Sequence, residues 1–127
     1  MENILFLKTY HNSYLALSKS NFSLCQIKNK SELKHAIPLY FDGNSLVFVH
    51  SDFKFQLREI DKNAFANFSY NFIDHNIRFN YEADKLTINF NDLYLSARSK
   101  SEKNSFKFTK VLDDWEKFYI TNHLDLI

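Results

Sequence analysis

The groups in this chain with chemical potential are five histidines, a run of carboxylates and one thiol. Asp113, Asp114 and Glu116 flank Trp115, and two carboxyls across a cleft beside an aromatic platform are what glycoside hydrolysis requires. A structural reading competes: Asp113-Asp114 forms the turn before a final strand, and Trp115 packs under a barrel as a space-filling aromatic. The second is adopted, because Trp115 falls where the repeat described below places a structural aromatic. No catalytic residue is assigned.

His11, His35, His50, His75 and His123 show no i, i+2 or i, i+4 pair that would bring two imidazoles to one face for a metal. They are read as solvent-exposed loop residues, with His35 and His75 at related places in two repeats. Cys25 lacks a recognisable base and stands within an alternating run, so a packed structural thiol is expected. One cysteine excludes an intramolecular disulfide and any multi-thiolate metal site. One glycine leaves no room for a phosphate-cradling loop or a dinucleotide fingerprint. Neither cofactor nor metal is expected.

Basic residues form the remaining candidate. Lys28, Lys30 and Lys34 lie in one link, and Arg98, Lys100, Lys103, Lys107 and Lys110 follow a strand in the last third. An opposite set comprises Asp42, Asp113, Asp114, Glu116 and Asp125. Such asymmetry suits a charged partner and speeds encounter. Lys28, Lys30, Lys34, Arg98, Lys100 and Lys103 are therefore the expected partner-binding residues.

The elements that must position these groups are short strands. Apolar residues alternate with polar ones at Phe22–Leu24, Ile37–Phe41, Phe53–Leu57, Leu93–Ala97 and Phe106–Phe108, the period of a half-buried strand. No helical period of any length competes. Leu15, Phe55 and Leu95 stand forty apart, as do Leu17, Leu57 and Ala97. Leu39, Phe79 and Phe118, and likewise Phe41, Tyr81 and Ile120, follow at forty and thirty-nine. Phe22, Phe65 and Phe106 match when the loops differ by two or three residues.

Twelve strands in three units, over residues 3–43, 44–83 and 84–127, predict a single all-β domain, a β-trefoil, with an irregular β-sandwich as the alternative. The physical reason is burial: one unit cannot cover its apolar face or pair its edges, whereas three around an axis close a six-stranded barrel. Leu39, Leu46, Phe79, Leu86 and Phe118 are expected inside it. With one Gly and one Pro in the chain, turns must rely on Asn and Asp, which tolerate the left-handed conformation. Asn12, Asn44, Asn63, Asn91, Asn104 and Asp114 are the candidates.

The third unit carries L-x-I at Leu86–Ile88, Y-L-S-A at Tyr94–Ala97 and W-E-x-F-x-I at Trp115–Ile120, and Tyr14-Leu15-Ala16 echoes it in the first. This pattern resembles the β-trefoil repeat of the fascin and hisactophilin group. The resemblance implies that fold and, for function, association with actin. The Q-x-W signature of ricin-type lectins is absent, so no sugar-binding residues are carried over.

Sixteen Lys+Arg against fifteen Asp+Glu leave a net charge of +1, which invites neither nucleic acid nor an anionic membrane. The start, MENILFLKTYHN, lacks a basic leader and a long apolar core. A cytoplasmic protein is expected. The absence of a catalytic constellation and the abundance of charged, aromatic loops predict a non-enzymatic protein-binding module, in particular an immunity protein that neutralises a toxin. An actin-associated trefoil and a carbohydrate-binding module centred on an exposed Tyr or Trp are the alternatives.

Overall fold

The structure, a computed structural model, describes residues 4–43, 45–68, 77–99, 106–122 and 124. Strands β1 (Leu5–Lys8), β2 (Tyr14–Leu17), β3 (Leu24–Ile27) and β4 (Pro38–Asp42) come first. Next are β5 (Ser45–His50), β6 (Phe53–Ile60), β7 (Asn63–Asn67) and β8 (Ile77–Glu82). The last are β9 (Lys85–Phe90), β10 (Leu93–Ala97), β11 (Phe106–Thr109) and β12 (Tyr119–Thr121). Short 3₁₀ turns at Lys30–His35 and Asp114–Glu116 precede β4 and β12. The class is all-β, as the period-two pattern requires. Among the described residues no helix is long and apolar enough to cross a membrane.

All pairing is antiparallel. The sheet runs β3-β2-β1-β4-β5-β6-β7-β11-β10-β9-β8, with β12 added to β1. Leu86 is bridged to Phe118 by two backbone hydrogen bonds of 2.8 and 2.9 Å, and β5 lies alongside β8. The hairpins β2–β3, β6–β7 and β10–β11 meet one another at Ser23–Phe65 and Asn63–Lys107. Strict alternation in β9 and β11 puts Leu86, Ile88, Phe90, Phe106 and Phe108 into the core. Leu39, Leu46 and Phe118 are buried as expected, and Phe79 packs against them partly exposed. In β2 both faces are covered, since Leu15 joins the main core while Tyr14 and Ala16 join a smaller cluster with Ile27 and Ala36.

Cross-strand register corrects the repeat alignment in one place. Leu24, Ala66 and Phe106 sit opposite Leu17, Leu57 and Ala97, so neither Phe22 nor Phe65 is the counterpart of Phe106. Phe22 precedes β3, 43% exposed, with φ of +58°. The β12 strand also slides. Phe118 faces Leu86 as Leu39 faces Leu5, yet Ile120 faces Leu7 where Leu39 faces Phe48.

Turn chemistry is partly as expected. Asn12 and Asn91 have positive φ, whereas Asn63 begins β7 and Asn44 and Asn104 lie outside the described residues. The pairs Ser51-Asp52, Asp61-Lys62, Ala83-Asp84 and Asn91-Asp92 all have positive φ at both residues, the signature of type I′ hairpin turns. Asn91-Asp92 and Asp61-Lys62 are helped by side chains: Asn89 accepts from the Asp92 N–H at 3.1 Å, and Glu59 from the Lys62 N–H at 2.7 Å. Ala83 carries no polar atom to offset its φ of +53°. Ala83→Asn combined with Asp84→Gly is expected to stabilise the protein by about 1 kcal/mol, because the left-handed penalty of an ordinary L-residue is relieved. A thermal melt checks it, and an unchanged or lowered Tm would refute it.

Candidate functional site

Asp113 is an N-cap in extended backbone, and its carboxylate accepts from the Asp114 N–H at 2.9 Å. Glu116 reaches back and accepts from the Asp113 N–H at 2.7 Å. This reciprocal capping box fixes the short turn. It leaves Asp113 and Asp114 exposed and Trp115 half-buried, and it buries Glu116 to 3% exposure.

A carboxylate so deeply placed needs further partners. Ser96 Oγ donates to Glu116 Oε2 at 2.5 Å, and Arg98 Nη1 donates to Ser96 Oγ at 3.2 Å. The Arg98 guanidinium then lies 5.1 Å from the Trp115 ring centroid, a cation–π distance. His11 packs edge-on to the same ring at 5.1 Å. Its Nε2 lies 2.9 Å from the Ala97 carbonyl; a carbonyl only accepts, so that nitrogen carries the proton.

The network continues into the first third of the chain. Gln26 Nε2 donates to the Arg98 carbonyl at 2.7 Å, Ser13 Oγ donates to Gln26 Oε1 at 2.6 Å, and the Thr9 and Ser13 hydroxyls are 2.5 Å apart. Thr9, Ser13, Gln26, Ser96 and Glu116, all buried, belong to it; Gln56 and the phenol of Tyr14 are the other buried polar side chains among the described residues. Polar burial is therefore concentrated behind one surface feature. That feature is a cleft of about 400 Å³, bordered by Tyr10, Arg98, Val111, Asp113, Asp114 and Trp115, with Glu116 in its wall.

Trp115 does not disappear beneath a barrel. Phe118 fills the core, and Trp115 stands between His11 and Arg98 at the cleft. Asp113-Asp114 does form the turn before β12: Glu116 Oε1 and Asp113 Oδ1 accept backbone N–H groups within it, and Glu116 Oε2 accepts from Ser96.

The basic residues expected to bind a partner fall in different settings among the described residues. Lys30 and Lys34 are exposed on the 3₁₀ turn, and Lys28 is half-buried just after β3. Arg98 is folded onto Trp115 and Ser96 rather than presented outward. Lys100 and Lys103 lie outside the described residues. Among the histidines, His35 is exposed, but His11 and His50 are half-buried in ring contacts, while His75 and His123 lie outside the described residues. Burial pushes the Cys25 thiol up, with a smaller contribution from Glu32, so it is a protonated packing thiol near neutral pH. Among the described residues no three His, Cys, Asp or Glu side chains gather as metal ligands.

A second surface feature escapes sequence reading. Phe22, His50, Phe53 and Phe68 line an apolar hollow of about 390 Å³. Phe22 is 5.3 Å from Phe68 and 6.2 Å from His50, and Phe68 is 5.4 Å from the buried Phe55. Phe53 is 66% exposed. The signal in the sequence is small: Phe22 and Phe53 stand in alternating runs with Leu24 and Phe55, and the fold leaves both exposed, Phe22 in a left-handed turn before β3 and Phe53 at the start of β6. Neither the comparison with protein-family models nor the comparison with curated proteins gives a match for this chain.

Proposed function

We propose that this chain is a β-trefoil that acts by binding a protein partner, as a non-catalytic cytoplasmic inhibitor of the kind that neutralises a toxin. The trefoil reading is supported by the forty-residue spacing, the three mutually touching hairpins, and the neighbour relations that link β1, β4, β5, β8, β9 and β12 in a cycle. The resemblance to the fascin and hisactophilin group adds to it.

One observation carries the binding function: the cluster of Phe22, His50, Phe53 and Phe68. Exposed contiguous aromatics cost solubility, and in stable proteins such patches mark interaction surfaces. Phe22 sharpens this, because a left-handed φ in a bulky residue costs about 1–2 kcal/mol and here presents the ring outward. Commitment of the Asp113 and Glu116 carboxylates to the capping box supports a role without acid–base catalysis.

A photo-reactive benzoylphenylalanine at Phe53, in cells that express the protein, tests the reading. The expected result is one discrete adduct with a polypeptide whose activity is then blocked by stoichiometric unmodified protein. A probe at the exposed Arg78 should give no such adduct. An adduct without inhibition removes the inhibitor part, one identified as actin transfers the case to an actin-associated trefoil, and labelling no stronger than at Arg78 removes the binding face.

A further inference from the structure

The Trp115 cleft has a charge imbalance that the aromatic face does not explain. Three carboxylates, those of Asp113, Asp114 and Glu116, border it against the one guanidinium of Arg98. Arg98 is directed into the wall, onto the Trp115 ring and the Ser96 hydroxyl. Asp113 and Asp114 are exposed at the rim, and Tyr10 and Val111 are more than half exposed beside them.

A cation with an aliphatic stem gains at every part of this surface. Its charge meets two carboxylates, its methylenes cover Val111, and a flat head group stacks on the Tyr10 ring. A neutral sugar would keep the stacking without the attraction, and an anion would be repelled. We infer that the cleft is a receptor for a guanidinium or ammonium side chain displayed by the protein partner, with arginine preferred for its planar, weakly hydrated head. Arg98 on Trp115 provides an example within the fold of a guanidinium seated on this aromatic wall.

The turn that carries the carboxylates is held in place before any ligand arrives. Glu116 fixes Asp113 through its N–H, Ser96 fixes Glu116, and Gln26 fixes the Arg98 backbone. Little ordering remains to oppose binding.

The inference rests on the protein-binding reading for the source of the cation, but its test uses small probes and so fails or succeeds separately. Trp115 is the only tryptophan, so its indole resonance and its fluorescence report this cleft alone. Titration with acetyl-Gly-Arg-Gly-amide is expected to give a saturable change with Kd of about 1 mM, weakened by added salt. The citrulline counterpart and maltose should give none. Asp113→Asn with Asp114→Asn is expected to weaken binding about tenfold, the loss of two exposed charge contacts. Asparagine serves as an N-cap as well as aspartate does, so the turn persists. No saturable response to the arginine peptide, an equal response to citrulline or maltose, or undiminished binding by the double variant would each overturn the assignment.

Discussion

Phe118→Ala is expected to destabilise the protein by about 3–5 kcal/mol, the range for removing a fully buried phenylalanine. Phe118 has no exposed surface, and its ring lies 6.1 Å from that of Phe106. Its backbone also makes both hydrogen bonds that join the β12 end of the chain to Leu86. The side chain thus anchors a strand of only three residues, Tyr119–Thr121, whose pairing is with β1. Against a total stability of about 5–15 kcal/mol, the loss is a large fraction. Phe79, thirty-nine residues upstream at the related position, is only partly buried and leans on the ring of Phe41 at 4.9 Å. Phe79→Ala is therefore expected to cost about half as much, roughly 1.5–2 kcal/mol. Urea denaturation of both variants decides the matter. A cost below about 1 kcal/mol for Phe118→Ala would mean that β12 does not close the core as described.

This contrast shows how far the sequence could be read. The all-β class and nearly every strand follow from period-two alternation, because a half-buried strand has no other way to cover one face. The buried set Leu39, Leu46, Leu86 and Phe118 follows from the repeat spacing. Register does not, since it is set by turn length and hairpin geometry. Phe22 illustrates the limit: it alternates correctly with Leu24, yet lies beyond the strand end in a left-handed turn. The I′ turns at Ser51-Asp52 and Ala83-Asp84 were hidden for a similar reason, as neither pair carries the usual Asn-Gly signal.

The candidate site was legible only in its parts. Asp113, Asp114, Trp115 and Glu116 adjoin in sequence and could be seen together. Their partners come from elsewhere in the chain, His11 and Ser13 from the β1–β2 turn, Gln26 from β3 and Ser96 from β10, and only the fold brings them there. Arg98 looked like one cation among several, because composition cannot distinguish a side chain that faces solvent from one folded onto a ring. Lys30 and Lys34 are exposed on the 3₁₀ turn.

Glu116→Ala is expected to cost about 3 kcal/mol, since truncating one member of a buried charged network leaves its partners uncompensated. Ser96 Oγ and the Asp113 N–H lose their acceptor, and the 3₁₀ turn loses half its capping box. Yet the fold itself does not demand a carboxylate here. Two residues before Leu39, Phe79 and Phe118 stand Ile37, Ile77 and Glu116, and all three are buried, at 3%, 5% and 3% exposure. Likewise Ala16 stands eighty residues before Ser96, buried at 2%. Two copies of the unit thus fill the place with isoleucine, and one of them pairs it with alanine. Glu116→Ile with Ser96→Ala is accordingly expected to restore stability to within about 1 kcal/mol of the parent, because apolar replacement of both members of a buried polar pair is often neutral or better. The same double variant releases Asp113 and Asp114 from their fixed geometry, so binding of the arginine peptide at Trp115 should fall. Chemical denaturation and the Trp115 titration, made on the same samples, separate the roles. Stability regained with binding lost assigns the network to the cleft. Should the double variant be as unstable as Glu116→Ala, the network belongs to the fold, and the third unit differs from the other two for reasons of packing alone.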